Sequence, residues 1–277
     1  MQANQSDNLS EQLVVQATHE ESVIVRNPEG ELAQSDWIAE EVAVALVYNG
    51  ISHAVMMLTP QDLADFAMGF SLTEGILTST KQLRSLELVE SELGIEVRME
   101  IATEAFVNLK QRRRQLSGRT GCGICGLESL TAVQPDVAIR DAHPMPSYQL
   151  IEKAAAKLKG SQQIQSQCGA VHAAALFDDN AELVSIREDV GRHNALDKLL
   201  GAIARNKQED KLAGFVLVSS RASFEMVSKA AKCGIHTLVA VSAPTKMAIT
   251  LAKQANMNLI GFVRPQRQVV YVQAVDA

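Results

Sequence analysis

Residues 214–264, GFVLVSSRASFEMVSKAAKCGIHTLVAVSAPTKMAITLAKQANMNLIGFVR, decide the fold. Three apolar runs recur in it: Phe215–Val218, Thr237–Val241 and Leu259–Val263. Each is too short for a helix, and each holds β-branched residues, so each reads as a strand. Between them lie helical stretches, one from Ala222 to Lys232 stopped by Gly234, the next opening at Pro244. Continuous apolar strands separated by helices predict a parallel or mixed sheet covered on both faces.

The pattern extends outward from there. Val269–Val272 is a last strand, and Arg192–Ala204 is a helix burying Leu196, Leu199, Leu200 and Ile203. His172–Phe177 and Leu183–Ile186 form a hairpin over Asp178-Asp179-Asn180. A helix from Ser147, ended by Gly160, buries Leu150, Ile151, Ala154, Ala155 and Leu158. Residues 147–277 therefore form one α/β domain, preceded by a linker at 134–147 that carries Pro135, Pro144 and Pro146. Upstream, 41–133 reads as a smaller N-terminal subdomain, for an α/β (α+β) class as a whole. Its hairpin runs through Asn49-Gly50 into Ile51–Leu58, because Asn-Gly between apolar runs supplies the two positive φ values of a tight turn. Thr59 as N-cap and Pro60 as first helical residue open a helix with Leu63, Phe66, Ala67 and Phe70 on one face and Gly75 as terminator. Ile95, Val97, Met99 and Ile101 alternate as a half-buried strand. Residues 1–40 are expected to form a partly flexible segment, polar and frayed to Glu20, with a weak strand at Ser22–Arg26. No internal repeat is apparent.

The 277 residues are 47% hydrophobic and carry a net charge of −6, which disfavours wholesale nucleic-acid binding and confines any anion site to a local basic patch. No apolar run approaches the roughly 20 residues that span a bilayer. The first twenty residues lack the basic start and apolar stretch of a secretory signal, so a cytoplasmic protein is expected. Four cysteines in such a chain point to metal, redox or sulfur chemistry more than to structural disulfides.

Gly118–Gly126, GRTGCGICG, places Cys122 and Cys125 on one glycine-rich loop shortly after Arg112, Arg113 and Arg114. Those arginines read either as a solvated face or as a flank that favours thiolate and attracts anions. The loop has three readings: a zinc site completed by Cys168 and His172, a dithiol redox centre, and a sulfur carrier holding sulfane sulfur as a persulfide. Cys168 and Cys233 otherwise read as small core residues. Ligands of open α/β sheets bind beyond the carboxyl ends of the strands. This sequence places Ser219, Ser220 and Arg221 after the first strand quoted, Ser242 and Pro244 after the second, and Arg264 and Arg267 after the third. Hydroxyls, helix starts and arginines suit a phosphate, although Ser219 and Ser242 could equally be helix caps. In 187–200, REDVGRHNALDKLL, the residues Glu188, Asp189, Arg192, His193 and Asn194 surround Gly191. That stretch reads as a strand-to-helix turn, with His193, like His172, a structural histidine unless a site surrounds it.

From about Glu40 onward the chain resembles the FdhD family of formate dehydrogenase accessory sulfurtransferases. The resemblance rests on EVAVALVYNGISH, FAMGFSLTEGI, RRRQLSGRTGCGICG, HAAAL, EDVGRHNALDKLLG, VLVSSRASFEM and GFVRPQR. It implies a cytidine-deaminase-like C-terminal domain, a homodimer, and sulfur taken from a cysteine desulfurase. That sulfur would pass to the bis-guanine-dinucleotide molybdenum cofactor destined for formate dehydrogenase. Cys122 matches the family's persulfide carrier, with Cys125 beside it, and Phe262, Val263, Arg264, Pro265, Gln266 and Arg267 match its cofactor-binding stretch. Ser219, Ser220, Arg221 and Ser242 are then expected to help hold the nucleotide portion, for which a free guanine nucleotide serves as analogue. Zinc-dependent deamination is not expected, since Cys122 is not preceded by the proline of zinc deaminases, and no resident metal is expected. The competing class is a zinc-stabilised module that chaperones apo-formate dehydrogenase.

Overall fold

The computed structural model describes residues 16–116, 137–208 and 212–276. A six-stranded mixed sheet forms the centre of the C-terminal part. Its strands are β7 (His172–Phe177), β8 (Leu183–Asp189), β9 (Phe215–Val218), β10 (Thr237–Ala240), β11 (Asn258–Arg264) and β12 (Arg267–Val272), in the order β12-β11-β10-β9-β7-β8. β10 runs parallel to β9 and β11, while β7 is antiparallel to both β8 and β9. Four strands, β8 to β11, thus point their carboxyl ends to one edge. The helices α5 (Arg192–Arg205), α6 (Phe224–Lys232) and α7 (Lys246–Gln254) pack on one face through Leu196, Leu199, Met226, Ala230 and Leu251. On the other face α3 (Tyr148–Ser161) buries Ile151, Ala154 and Leu158 against Phe177, Phe215 and Val263. α3 starts where expected, with Ser147 as its N-cap, but the helix runs through Gly160 rather than ending there.

The N-terminal part holds a four-stranded sheet in the order β4-β3-β6-β5, made of β3 (Val42–Tyr48), β4 (Ile51–Leu58), β5 (Leu83–Ser91) and β6 (Gly94–Ile101). The Asn49-Gly50 turn joins β3 to β4 with φ of 46° and 76°, the left-handed pair that a two-residue hairpin needs. Helix α1 (Leu63–Thr73) fills this sheet's core with Phe66, Ala67 and Phe70, and α2 (Thr103–Leu116) adds Ala105 and Leu109. Residues 18–39, expected to be frayed at the start, form a two-stranded ribbon of β1 (Thr18–Asn27) and β2 (Gly30–Ala39) in continuous register. Its base is tied to α4 (Gln163–Cys168) by Thr18 Oγ1 donating to Gln167 Oε1 at 3.0 Å and by a small cluster of Ala17, Ile164 and Val171.

The α1 helix begins three residues later than the sequence predicts. Asp62 is its N-cap residue, with φ 55°, and Thr59 and Pro60 stand outside the helix. Thr59 has another use: its side chain and backbone bond to the β8–α5 turn, described below. α1 also packs along α5 with almost no separation. A Cβ on Gly69 would lie 1.8 Å from the Asp197 carbonyl oxygen, and one on Gly201 equally close to that of Asp65. Only glycine lets the two backbones meet. This explains why α5 buries an unbroken stretch from Asn194 to Ile203, not the single face its periodicity predicts: the sheet takes one side and α1 the other.

Candidate functional site

The carboxyl ends of β8, β9, β10 and β11 and the starts of α5, α6 and α7 share one sheet edge. The structure brings the predicted serines together there. Ser242 N–H donates to the Ser220 carbonyl at 3.4 Å, and Thr245 N–H donates to the Ala222 carbonyl at 3.1 Å. Neither Ser219 nor Ser242 caps a helix. Ser223 caps α6 and Thr245 caps α7, each accepting from a backbone N–H three residues on. Ser219 Oγ instead accepts from Ala173 N–H at 2.9 Å, joining β7 to β9 and leaving its own O–H to donate elsewhere. Ser220 is buried, with its hydroxyl donating to the Arg221 carbonyl, and Arg221 is exposed.

The stretch Phe262–Arg267 closes the same edge. Phe262 N–H donates to the Ser242 carbonyl at 3.1 Å, so the ends of β10 and β11 are linked. Phe262 has φ 52° and Gln266 φ 61°, and the β11–β12 register shifts between Gly261 and Arg264. A left-handed phenylalanine is rare and costs about 1–2 kcal/mol, and such strain collects at binding sites. The guanidinium of Arg267 lies 5.3 Å from the centre of the Phe262 ring. Val263 is buried, while Arg264, Pro265, Gln266 and Arg267 are exposed. Helix α3 steadies the turn, with Glu152 Oε1 accepting from Gln266 N–H at 3.3 Å.

At the other end of the edge the turn 189–191 is held by a buried ionic network. Asp189 and Lys198 are fully buried and 2.7 Å apart. Asp189 Oδ1 accepts from Gly191 N–H at 2.8 Å and from Asn194 Nδ2 at 3.0 Å, and its Oδ2 accepts from Thr59 N–H at 3.1 Å. Lys198 donates to the Thr59 carbonyl at 2.8 Å, and Thr59 Oγ1 accepts from Val190 N–H at 3.1 Å. Burial pushes the Lys198 ammonium below its ordinary range although Asp189 pulls the other way. Beside the turn, His193 Nε2 lies 2.7 Å from Glu225 Oε2. Burial holds His193 below the usual histidine value, outweighing Glu225, and His172 is lowered by burial and by the charge of Arg192. Gly191 and Val190 also line a pocket of about 410 Å³ with Ile38, Ala39, Glu41, Met57 and Ala170.

Two further networks join the parts behind the edge. Lys229 bonds Asp197, Glu74 and Thr73 at 2.9–3.0 Å, and Arg187 and Arg205 both pair with Asp65. Sequence reasoning missed Thr59, Lys198 and Glu225 as parts of this edge. Nothing in LDKLL marks Lys198 as buried, and Thr59-Pro60 carries a strong signal for a different role.

Cys122 and Cys125 lie outside the described residues, and the run Arg112–Arg114 lies on α2. Cys168, considered as a zinc ligand, is half-buried with its thiol 3.2 Å from the Ile164 carbonyl within α4. Cys233 packs against the C-terminal core, and burial raises its thiol to about 12. Among the described residues no group of three or more His, Cys, Asp and Glu is placed to hold a metal ion. Nor, among them, is any helix long and apolar enough to cross a membrane.

With this edge in view, the comparisons with known proteins decide the lineage. The family model described as FdhD/NarQ matches residues 39–275. The chain belongs to the FdhD/NarQ family. It is 52% identical over 255 residues to a protein of Cupriavidus necator named sulfur carrier protein FdhD, covering 92% of this chain and 88% of that one. It is likewise 52% identical to the protein of that name from Bordetella bronchiseptica, over 86% of each chain. A crystal structure from Desulfotalea psychrophila, named for a formate dehydrogenase accessory protein, superposes with a TM-score of 0.71 at 24% identity. The match covers 92% of this chain and 97% of that one, and it is a likeness of fold.

Proposed function

We propose that the chain is a sulfur carrier of the sulfurtransferase class that matures formate dehydrogenase. Cys122 attacks the outer sulfur of a cysteine desulfurase persulfide. The S–S bond of the donor breaks, its cysteine leaves as thiolate, and Cys122 keeps the sulfane sulfur as its own persulfide. The sulfur then passes to the bis-guanine-dinucleotide molybdenum cofactor, which binds as substrate. Cys125 assists release by thiol exchange. The nucleotide portion lies across the sheet edge, between Ser219, Ser220, Arg221 and Ser242 on one side and Phe262, Val263, Arg264, Pro265, Gln266 and Arg267 on the other.

The observation that carries the reading is that edge: three strand ends, serine hydroxyls and exposed arginines converge on it, and one strand end is held in a strained turn by its neighbour. The strand order β8-β7-β9-β10-β11, with β7 reversed, supports a cytidine-deaminase-like domain over 147–277, with 41–133 as the part that presents the cysteine loop. A homodimer and a cytoplasmic setting complete the reading.

Intact-mass analysis after incubation with desulfurase and cysteine tests the carrier step. One added sulfur, lost in Cys122→Ala, is expected; an unloaded wild-type chain holding one zinc would instead favour a chaperoning module. Calorimetry with guanosine diphosphate tests the edge: Arg264→Ala is expected to weaken binding roughly tenfold, the loss of one charge-assisted contact. Unchanged affinity removes Arg264 from the site.

A further inference from the structure

The β1–β2 ribbon is built as a surface and left open. Every residue of β2 from Gly30 to Ile38 is exposed, and on β1 so are Glu20, Ser22, Ile24 and Arg26. A two-stranded hairpin standing alone is marginal in water. This one nevertheless holds ten consecutive pairs in unbroken register, with Ile24 66% and Trp37 43% exposed. Apolar surface that is open for as long as the chain is folded calls for a partner present for as long. A sulfur donor or acceptor that visits during transfer does not meet that need.

The register says which partner does. Directly opposed residues share a face of the ribbon, and side chains alternate between its two faces. One face is centred on Ser22 opposite Ser35. One step toward the tip stands Ile24 opposite Ala33, and one step toward the base stands Glu20 opposite Trp37. Each of these pairs lies roughly 7 Å from the serines, at about 3.4 Å per residue. Consider a two-fold axis between two such faces, crossing the strands at the serines. It sets Trp37 of each copy over Ala33 of the other, a large side chain against a small one, with Ile24 beside it. The serines let the ribbons approach at the axis. Arg26, at the tip, reaches the base of the other copy next to Glu20. The same contact is made twice, as a self-complementary surface requires. The opposite face lacks this symmetry. There Glu21 stands opposite Asp36, and a two-fold stack centred on Val23 and Gln34 would press both carboxylates onto Val25 and Leu32.

We propose that the Ser22–Ser35 face of the ribbon is the contact between two copies of this chain, packed antiparallel about a two-fold axis. The pairing rests on the homodimer of the reading above and gives it a location. A face five pairs long and two strands wide is at the small end of specific interfaces, under about 1,200 Å² in total, so the pairing is reversible by dilution.

Trp37 is the single tryptophan of the chain, so its emission reports on this face without any substitution. Sedimentation and tryptophan emission are followed together over a dilution series of the full-length chain. A dimer with shielded emission is expected at the concentrated end, and the emission should move to the red on dilution in step with dissociation. Ile24→Glu, at an exposed position that counts twice in a two-fold contact, is expected to weaken dimerisation roughly tenfold or more. Leu93→Glu, at a 91% exposed residue between β5 and β6, should leave it unchanged. A wild type that stays monomeric at near-millimolar concentration overturns both the contact and the homodimer. A dimer that dissociates with no change in Trp37 emission, or that Ile24→Glu does not weaken, overturns the contact and leaves the homodimer standing. Emission already shielded in the monomer gives the face to another part of the same chain and overturns the contact as well.

Discussion

The two ends of the sheet edge, the turn from β8 into α5 and the turn from β11 into β12, are built in opposite ways. The first is held from behind by fully buried charges and by Thr59 from the N-terminal part. The second is exposed from Arg264 to Arg267, tolerates left-handed backbone at Phe262 and Gln266, and is steadied by two backbone donors, Phe262 N–H to the Ser242 carbonyl and Gln266 N–H to Glu152. The first is therefore fixed by the packing of the whole molecule, and the second by its own backbone. A substitution in the first should be felt globally, and one in the second only locally.

The sharpest way to break this contrast is Lys198→Met. It leaves Asp189 buried and uncompensated, and should cost about 3–5 kcal/mol of stability. Urea denaturation measures it. Asp189→Asn in the same chain should recover part of the loss, because the orphaned charge is the larger penalty. Losses that simply add would show that the pair is not the anchor. Arg264→Ala at the second turn, exposed and free of such a network, should shift stability by no more than about 0.5 kcal/mol.

The next effect is smaller and depends on pH. His172 and His193 both sit at the first turn and both titrate below the ordinary 6.5 in the folded chain. His172 faces Arg192, and His193 faces Glu225, Arg192 and Lys229. Below 6.5 the unfolded chain binds protons on these rings that the folded chain does not, so their stabilising contribution is complete above that value and is lost as pH falls through it. Stability should therefore rise from about pH 5 to about pH 7. His236 adds the same sign from a different part of the fold, where burial also lowers it beside His143 and Arg140. Replacing His172 and His193 with glutamine isolates the first turn. A slope between pH 5 and 7 as steep as before would detach it from these two rings.

The same contrast explains what the sequence could reveal. Phe215–Val218 is a strand at the predicted bounds, and the Asn49-Gly50 turn and the start of α3 at Ser147 are as expected, because each depends on a few adjacent residues. The β11–β12 turn was legible for the same reason: FVRPQR is one contiguous stretch. The β8–α5 turn was not. Thr59 reads as a helix cap until a partner 130 residues away takes its N–H. α5 reads as amphipathic until α1, admitted by Gly69 and Gly201, covers its outer side. Strand β2 is exposed along nearly its whole length, so it carries no apolar alternation to read. Among its described side chains α2 fully buries Ala105 and Leu109, too thin a stripe to separate from a loop. Ser219 and Ser242 stand where their strands end, but the alternative that they cap the helices does not hold, since capping passes to Ser223 and Thr245, deeper into each loop.

The smallest effect should have the opposite sign. Gln266 is exposed with φ 61°, a conformation that costs a side-chain-bearing residue about 1–2 kcal/mol and glycine almost nothing. Its bond to Glu152 is made by the backbone N–H, so Gln266→Gly keeps it. The gain is offset by the greater freedom of glycine in the unfolded chain, about 0.4–1 kcal/mol. A net stabilisation of roughly 0.5 kcal/mol is expected from the difference. Phe262→Gly at φ 52° relieves the same strain but loses a half-buried ring and its contact with Arg267, so it should destabilise. Denaturation of the two variants side by side reads the balance. If both are destabilised alike, the second turn is held by its side chains after all, and the contrast with the first turn disappears.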